Sequence, residues 1–444
     1  METKIHESKA GIGKTKKGIR FNKKKDREYT EKIENKIRSK NYSYPVELIK
    51  IVLTIKLCSS CSFRAICKII SIINLYTKLS TKTPSHSTIL IWTKKIGCYQ
   101  LEKDINKGKD WILVIDESIQ FGHEKLLVIY GLRASKIDFT RALNYQDLTP
   151  LLISARTSWT GDLINKELKK IEEKLGTILY AVADGGNGIC KGLRLSNIGH
   201  VYDLSHKIAW FLKQVYSEDV DFKEYTTKMA KMRGRLVLSD VSHVLPPNQK
   251  IHSRFMNLDI LSDWGEKVLL YLDKNEKTKK EYIQLQWVGH FKDLIQELSQ
   301  VNCALQEIKK VLKTKGLSKA NIKWAEKTIN KIEIQNSRTE YIKRELVEYL
   351  KKTKEIGSKS VKMLCTSDII ESSFGKYKNY INQNPMIGIT NLSLCISAFT
   401  SKLDDSELKQ VMEKIRTSDI SKWSEENIGQ TNMAKRRRVL KKAG

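Results

Sequence analysis

The stretch Ile178–Leu193, ILYAVADGGNGICKGL, decides how the rest of the chain is read. A short apolar run ends on one carboxylate, Asp184, and the chain then turns through Gly185 and Gly186. Such a run, bounded by a glycine pair, predicts a buried strand that stops at the acid. The residues after it, GNGICKGLRLS, predict a short helix. A carboxylate at a strand tip is either a turn former or a ligand. Which of the two applies depends on whether the chain supplies partners.

Outward from that point the period of apolar residues predicts five strands. DWILVIDESI and KLLVIYGL flank QFGHE and read as a β-hairpin, with His123 at its turn. LTPLLISAR is the third strand, TGDLINKELKKIEEKL a helix opened by Thr160 or Asp162, TILYAVAD the fourth strand, and GHVYDLSH holds the fifth. The first three strands suit an antiparallel meander, and the last two join through helices. The expected α/β fold is a mixed five-stranded sheet with helices on both faces.

The first strand is almost continuously apolar yet carries Asp116 near its end, in VIDES. If it runs parallel to and beside the fourth strand, Asp116 and Asp184 project at one edge. Glu371 is the best third acid, in the helix of TSDIIESSFGKYKNYI. There Thr366 or Ser367 can cap, and Ile370, Phe374, Tyr377 and Ile381 form the buried stripe. Glu371, Gly375 and Lys378 lie on an adjacent row that the glycine leaves open. Asp368, the other acid of that helix, suits the helix dipole. Three convergent carboxylates are the oxygen donors that two Mg²⁺ or Mn²⁺ ions require for in-line phosphoryl transfer.

Strand order with acids on the first strand, the fourth strand and a late helix resembles the RNase H-like core of DDE transposases. The resemblance covers roughly residues 110–205 and 362–400. It implies that Asp116, Asp184 and Glu371 are the catalytic, metal-binding residues. It also implies that the 187-residue spacing from Asp184 to Glu371 holds an inserted domain. YDLSHK places Asp203 and His206 as D-x-x-H, similar to the C/D-x-x-H motif of the hAT, Mutator-like and P-element branches. Those two residues are accessory candidates, or they only fix a strand–helix corner. Lys378, seven after Glu371, matches the Lys of a Tyr-Arg-Glu-Lys signature that touches DNA phosphate. The expected Tyr and Arg are Leu364 and Ser367 here.

Composition narrows the partner. The 444 residues carry a net charge of +30, which attracts polyanions, nucleic acid first. No run of 18 or more apolar residues suggests a membrane span, and the N-terminal residues lack an apolar leader. Eight dispersed cysteines suit a reducing compartment. Cys58, Cys61 and Cys67 lack a second pair at zinc-finger spacing. GIGKTKKG lacks the full phosphate-loop frame. Trp264 and Trp287 read as core residues rather than base-stacking ones.

The expected organisation is a basic disordered arm (1–40), then a helical DNA-binding domain (41–105). The core's first part (106–206) follows, then a helical insertion (207–360), the core's second part (361–403), and a C-terminal helix with a basic, disordered tail (404–444). The 41–105 segment predicts three helices, the second opened by Ser62 and the third by Thr83 with Pro84 at its first position. They suit a helix-turn-helix whose last helix enters the major groove, or a plain helical subdomain. Candidate DNA contacts are Lys94 and Lys95 there, and Lys376 and Lys378 on the late helix. The expected protein is a cytoplasmic, bacterial nucleoid-associated transposase. It would bind double-stranded element ends and target DNA as a homodimer or larger assembly. An RNase H-like nuclease without strand transfer, or an inactive DNA-binding regulator, are the alternatives.

Overall fold

The computed structural model describes residues 43–77, 82–119, 124–333, 336–357, 362–381 and 388–441. The expected basic arm and the hairpin turn with His123 lie outside them, as does a break that the sequence also predicts at Asn384–Pro385, after the Glu371 helix. Three helices come first, α1 (Val46–Cys58), α2 (Phe63–Thr77) and α3 (His86–Glu102). The core continues with β1 (Gly108–Ile119), β2 (Lys125–Arg133), β3 (Thr149–Arg156), α4 (Gly161–Leu175), β4 (Gly176–Ala183), α5 (Asn187–Leu195) and β5 (His200–Tyr202). Seven helices follow: α6 (Leu204–Tyr216), α7 (Val220–Leu236), α8 (Leu258–Lys274), α9 (Lys280–Leu285), α10 (Lys292–Lys315), α11 (Lys319–Asn330) and α12 (Ser337–Ile356). The chain then returns to the core with α13 (Asp368–Ile381) and α14 (Leu394–Ala398), and ends in α15 (Asp405–Lys414), α16 (Thr417–Asn427) and α17 (Asn432–Lys441).

The sheet has the order β3-β2-β1-β4-β5. β1–β2 and β2–β3 are antiparallel, while β1–β4 and β4–β5 are parallel. This is the RNase H-like arrangement expected from the sequence. Alternation along β1 divides its side chains between two cores. Trp111, Leu113 and Ile115 meet Ile164, Leu168, Ile189 and Leu193 of α4 and α5. Ile112 and Val114 face the opposite side, with α6, α13 and the inserted helices. The glycines of GNGICKGL answer to packing: a Cβ on Gly188 would lie 2.3 Å from the Trp159 carbonyl oxygen. The inserted helices are fastened by Glu297, 2% exposed, which accepts from the Tyr216 hydroxyl at 2.7 Å and from Arg338 Nε at 2.8 Å.

Ser62 opens α2 as expected, accepting from the Ala65 N–H at 3.1 Å. α3 is capped by Ser85, not Thr83. Ser85 is extended and its hydroxyl accepts from the Thr88 N–H at 3.1 Å, so Pro84 lies before the cap. α3 is buried along one face and exposed at its first turn, where His86 and Ser87 reach solvent. Its residues Ile89, Trp92, Ile96, Cys98 and Gln100 are all buried. α1 to α3 share one core with Cys395, Phe399, Leu408 and Met412 from α14, α15 and their junction. The C-terminal tail is also corrected, because residues 432–441 are helical rather than disordered. AKRRRVLKK consists largely of strong helix formers, and the Thr431 hydroxyl accepts from the Ala434 N–H at 3.3 Å. Among the described residues, no helix is long and apolar enough to cross a membrane.

The α3–α14 contact gives a direct test. A Cβ on Gly97 would lie 2.0 Å from the Leu394 carbonyl oxygen, backbone against backbone. Gly97→Ala gains about 1 kcal/mol of helix propensity and forces the two helices apart. Thermal unfolding followed by circular dichroism should show a net loss of up to about 2 kcal/mol; a raised midpoint would contradict the packing.

Candidate active site

The β1–β4 register pairs Val114 with Val182 and Ile115 with Ala183. Continued by one residue, it sets Asp116 beside Asp184, on adjacent strands about 4.8 Å apart. Both acids have the parity of Ile112 and Val114, so they project toward the α6–α13 side. Asp184 is a turn former as well, because its Oδ1 accepts from the Gly186 N–H at 3.0 Å. Asp116 Oδ1 accepts from the Glu117 N–H at 2.7 Å.

The third acid is brought in by a buried clamp. Asp203 has no exposed surface and caps α6, its Oδ1 accepting from the His206 N–H at 2.8 Å. Its Oδ2 accepts from the Ser367 N–H at 2.6 Å and from the Ser367 hydroxyl at 2.9 Å. The Tyr180 hydroxyl accepts from the Leu364 N–H at 2.9 Å, and the Leu204 N–H donates to the Cys365 carbonyl at 2.9 Å. The approach to α13 is thereby tied to β4 and to the β5–α6 corner. One turn into α13, Glu371 Oε1 lies 2.8 Å from His206 Nε2. D-x-x-H thus divides its labour: Asp203 fixes the corner and the helix entry, while His206 holds the acid.

The charges are unbalanced. Asp116 is pushed up to about 7, first by loss of water and then by Asp184, with Glu371 adding to it. The Glu117 N–H and His206 oppose the rise. His206 is pushed up to about 9, mainly by its hydrogen bond to Glu371 and further by the Asp203, Glu371 and Asp184 charges, against burial. Asp203 is raised by burial, and the His206 and Ser367 N–H donors resist the rise. Among the described residues, no three His, Cys, Asp or Glu side chains stand close enough to hold a metal ion. Asp116 and Asp184 are oxygen donors of like charge, the type of ligand a hard divalent cation takes, while Glu371 is engaged by His206.

The lysines separate into two kinds. Lys378 is exposed in the last turn of α13, and nothing lies within 4 Å of a Cβ on Gly375, so that row is open as expected. Lys376 is corrected as a DNA contact, because its ammonium sits over the Tyr145 and Phe399 rings at 4.8 and 4.7 Å. Lys95, 6% exposed, is turned into the packing of α3, and Lys94 beside it is half-buried, its pKa lowered by burial. Asp368 pairs with Lys313 of α10 at 2.8 Å, apart from the acid cluster. Trp264 and Trp287 are partly buried against the main core with ring centroids 6.4 Å apart, in keeping with the core reading.

Sequence reasoning missed the cavity of about 300 Å³ beside Glu371, lined by Asn302, Gln306 and Lys309 of α10 and by Asp368. It also missed Ser367 as the clamp's partner. Neither has a local signal, since α10 meets α13 only through the tertiary fold.

No protein-family model matches the chain, and no curated protein matches it. Among solved structures, one similar chain belongs to the "Drosophila P element transposase strand transfer complex". The identity is 12% and the TM-score 0.42, over 90% of this chain and 100% of that one.

Two pH dependences follow from the site. An acid whose folded pKa is about 7, against about 4 unfolded, binds an extra proton in the folded state between those values. Its contribution to stability therefore falls as pH rises through that window. In chelator at pH 8, Asp116→Asn should melt higher than the wild type, by an amount that shrinks toward pH 5. His206 runs in the same direction over a higher window, stabilising below about 6.5 and losing that contribution as pH rises through about 9. His206→Gln should lower the melting temperature at pH 6 and scarcely change it at pH 10.

Proposed function

We propose that this chain is a DNA transposase that cuts and joins strands at the Asp116, Asp184 and Glu371 carboxylates. The observation carrying this reading is the register that aligns Asp116 with Asp184 on parallel neighbours, facing the helix that bears Glu371. The net charge of +30 supports a polyanionic substrate. Two Mg²⁺ or Mn²⁺ ions, held by the three carboxylates, would supply neutralisation of the reacting phosphate and an activated water or 3′-hydroxyl.

The chain's own residues do the positioning. Asp116 and Asp184 present oxygens from the rigid sheet, and Asp203 fixes the helix that presents Glu371. His206 holds Glu371 in place and, protonated near neutral pH, offsets its charge; Glu371 would be a ligand of a bound metal ion. Lys378 is exposed on the same helix to meet a phosphate. The proposed partners are the element ends and a target duplex, held by a homodimer or larger assembly in the bacterial cytoplasm.

The test places the gene's own flanking DNA on a plasmid with purified protein and Mn²⁺, comparing the wild type with Asp184→Asn. Breaks at the borders of the flanking repeats, abolished by the substitution, are the expected result. Scattered nicks abolished by the substitution would identify a nuclease without strand transfer. Binding with no metal-dependent break by either protein would identify a regulator with vestigial acids.

A further inference from the structure

We infer that α17, the C-terminal basic helix, is a docking element that grips the backbone of duplex DNA beside the acid cluster. This rests on the reading of DNA as substrate and assigns one surface to it. The helix spans ten residues and carries Lys435, Arg436, Arg437, Arg438 and Lys441 with no acid among them. None of its residues is buried. Packing therefore does little to stabilise it, and a free helix of this length is marginal in water. Its cations also repel one another, with no acidic i,i+4 partners to offset them. A polyanion laid along it would remove that repulsion.

The position of the helix separates it from an ordinary solvated charge run. Lys435 Nζ bonds Glu124 Oε1 at 2.9 Å, just before β2 begins. Val128, four residues further along, is the β2 partner of Asp116. The tether is thus about 13 Å along the strand from the level of the first acid. Just upstream of α17, the Ser154 hydroxyl of β3 donates to the Asn427 carbonyl at 3.1 Å. Asn432, the first residue of α17, lies against Gly388 of the segment after α13. The helix is therefore fixed at the sheet end that carries Asp116.

At about 100° per residue, Lys435 marks the protein side of α17, and Arg437 and Lys441 fall on the opposite side. Arg436 and Arg438 flank them. The helix is about 15 Å long. That length of duplex axis carries about nine phosphate charges, ample for the four remaining cations.

The experiment measures the affinity of the full chain for a fluorescein-labelled duplex of the gene's flanking DNA at 50 to 200 mM salt, in EDTA. Arg437→Gln/Lys441→Gln is compared with the wild type and with Lys166→Gln/Lys169→Gln, an equal charge change on exposed residues of α4. Circular dichroism verifies that each is folded. Loss of two phosphate contacts should lower the slope of log affinity against log salt by about 1.8 in the α17 variant alone. An unchanged slope in that variant, or an equal fall in the α4 variant, overturns the docking role while leaving duplex binding intact. A wild type that binds no duplex at 50 mM salt overturns the DNA reading itself, and this inference with it.

Discussion

A carboxylate with no exposed surface holds the two halves of this core together. Asp203 receives the His206 N–H from its own helix and two donors from Ser367, which stands 164 residues later. A buried charge is costly unless it is hydrogen-bonded, and here three donors converge on it. The same bonds cap α6 and fix the entry to α13. Glu371 and His206 each lie close after one end of the clamp, so their meeting depends on it. The inserted helices pack into the same core as β1, β4, α6 and α13.

The acid cluster is the opposite case, a site where stability yields to arrangement. Asp116 and Asp184 stand side by side at a sheet edge, and His206 is the cation that bears on both the Asp116 and Glu371 charges. Burial and like charge together raise Asp116 far above its ordinary range. A fold selected for stability alone would place neutral residues there. The surrounding lysines are divided by packing, with Lys376 drawn over aromatic rings while Lys378 stays in solvent.

Much of this was legible in the sequence because it is local. Period-two apolar runs marked the strands, and the Gly185–Gly186 pair marked where β4 ends. The positions of Asp116 and Asp184 near the ends of two expected parallel neighbours predicted that both would project at one edge. What could not be read was set by tertiary contact. Ser85 rather than Thr83 caps α3 because the backbone turns extended one residue after Pro84. Lys95 was a candidate contact by its place in the third helix, but packing against α14 and α15 buries the face of α3 that bears it. The C-terminal charge run looked too polar to fold, yet its residues are good helix formers and Glu124, distant in sequence, receives Lys435.

The separation of the acids along the chain has a consequence in time. Asp116 and Asp184 leave the ribosome early, whereas Glu371 emerges 187 residues after Asp184. At about 5–20 residues per second, that interval lasts roughly 10–40 s. Until it ends the nascent chain carries Asp116 and Asp184 without α13, and Asp203, once made, has no Ser367 to bind. A ribosome-tethered fragment of this protein is therefore chemically incomplete. Premature termination anywhere in the inserted helices would release a product with no Glu371.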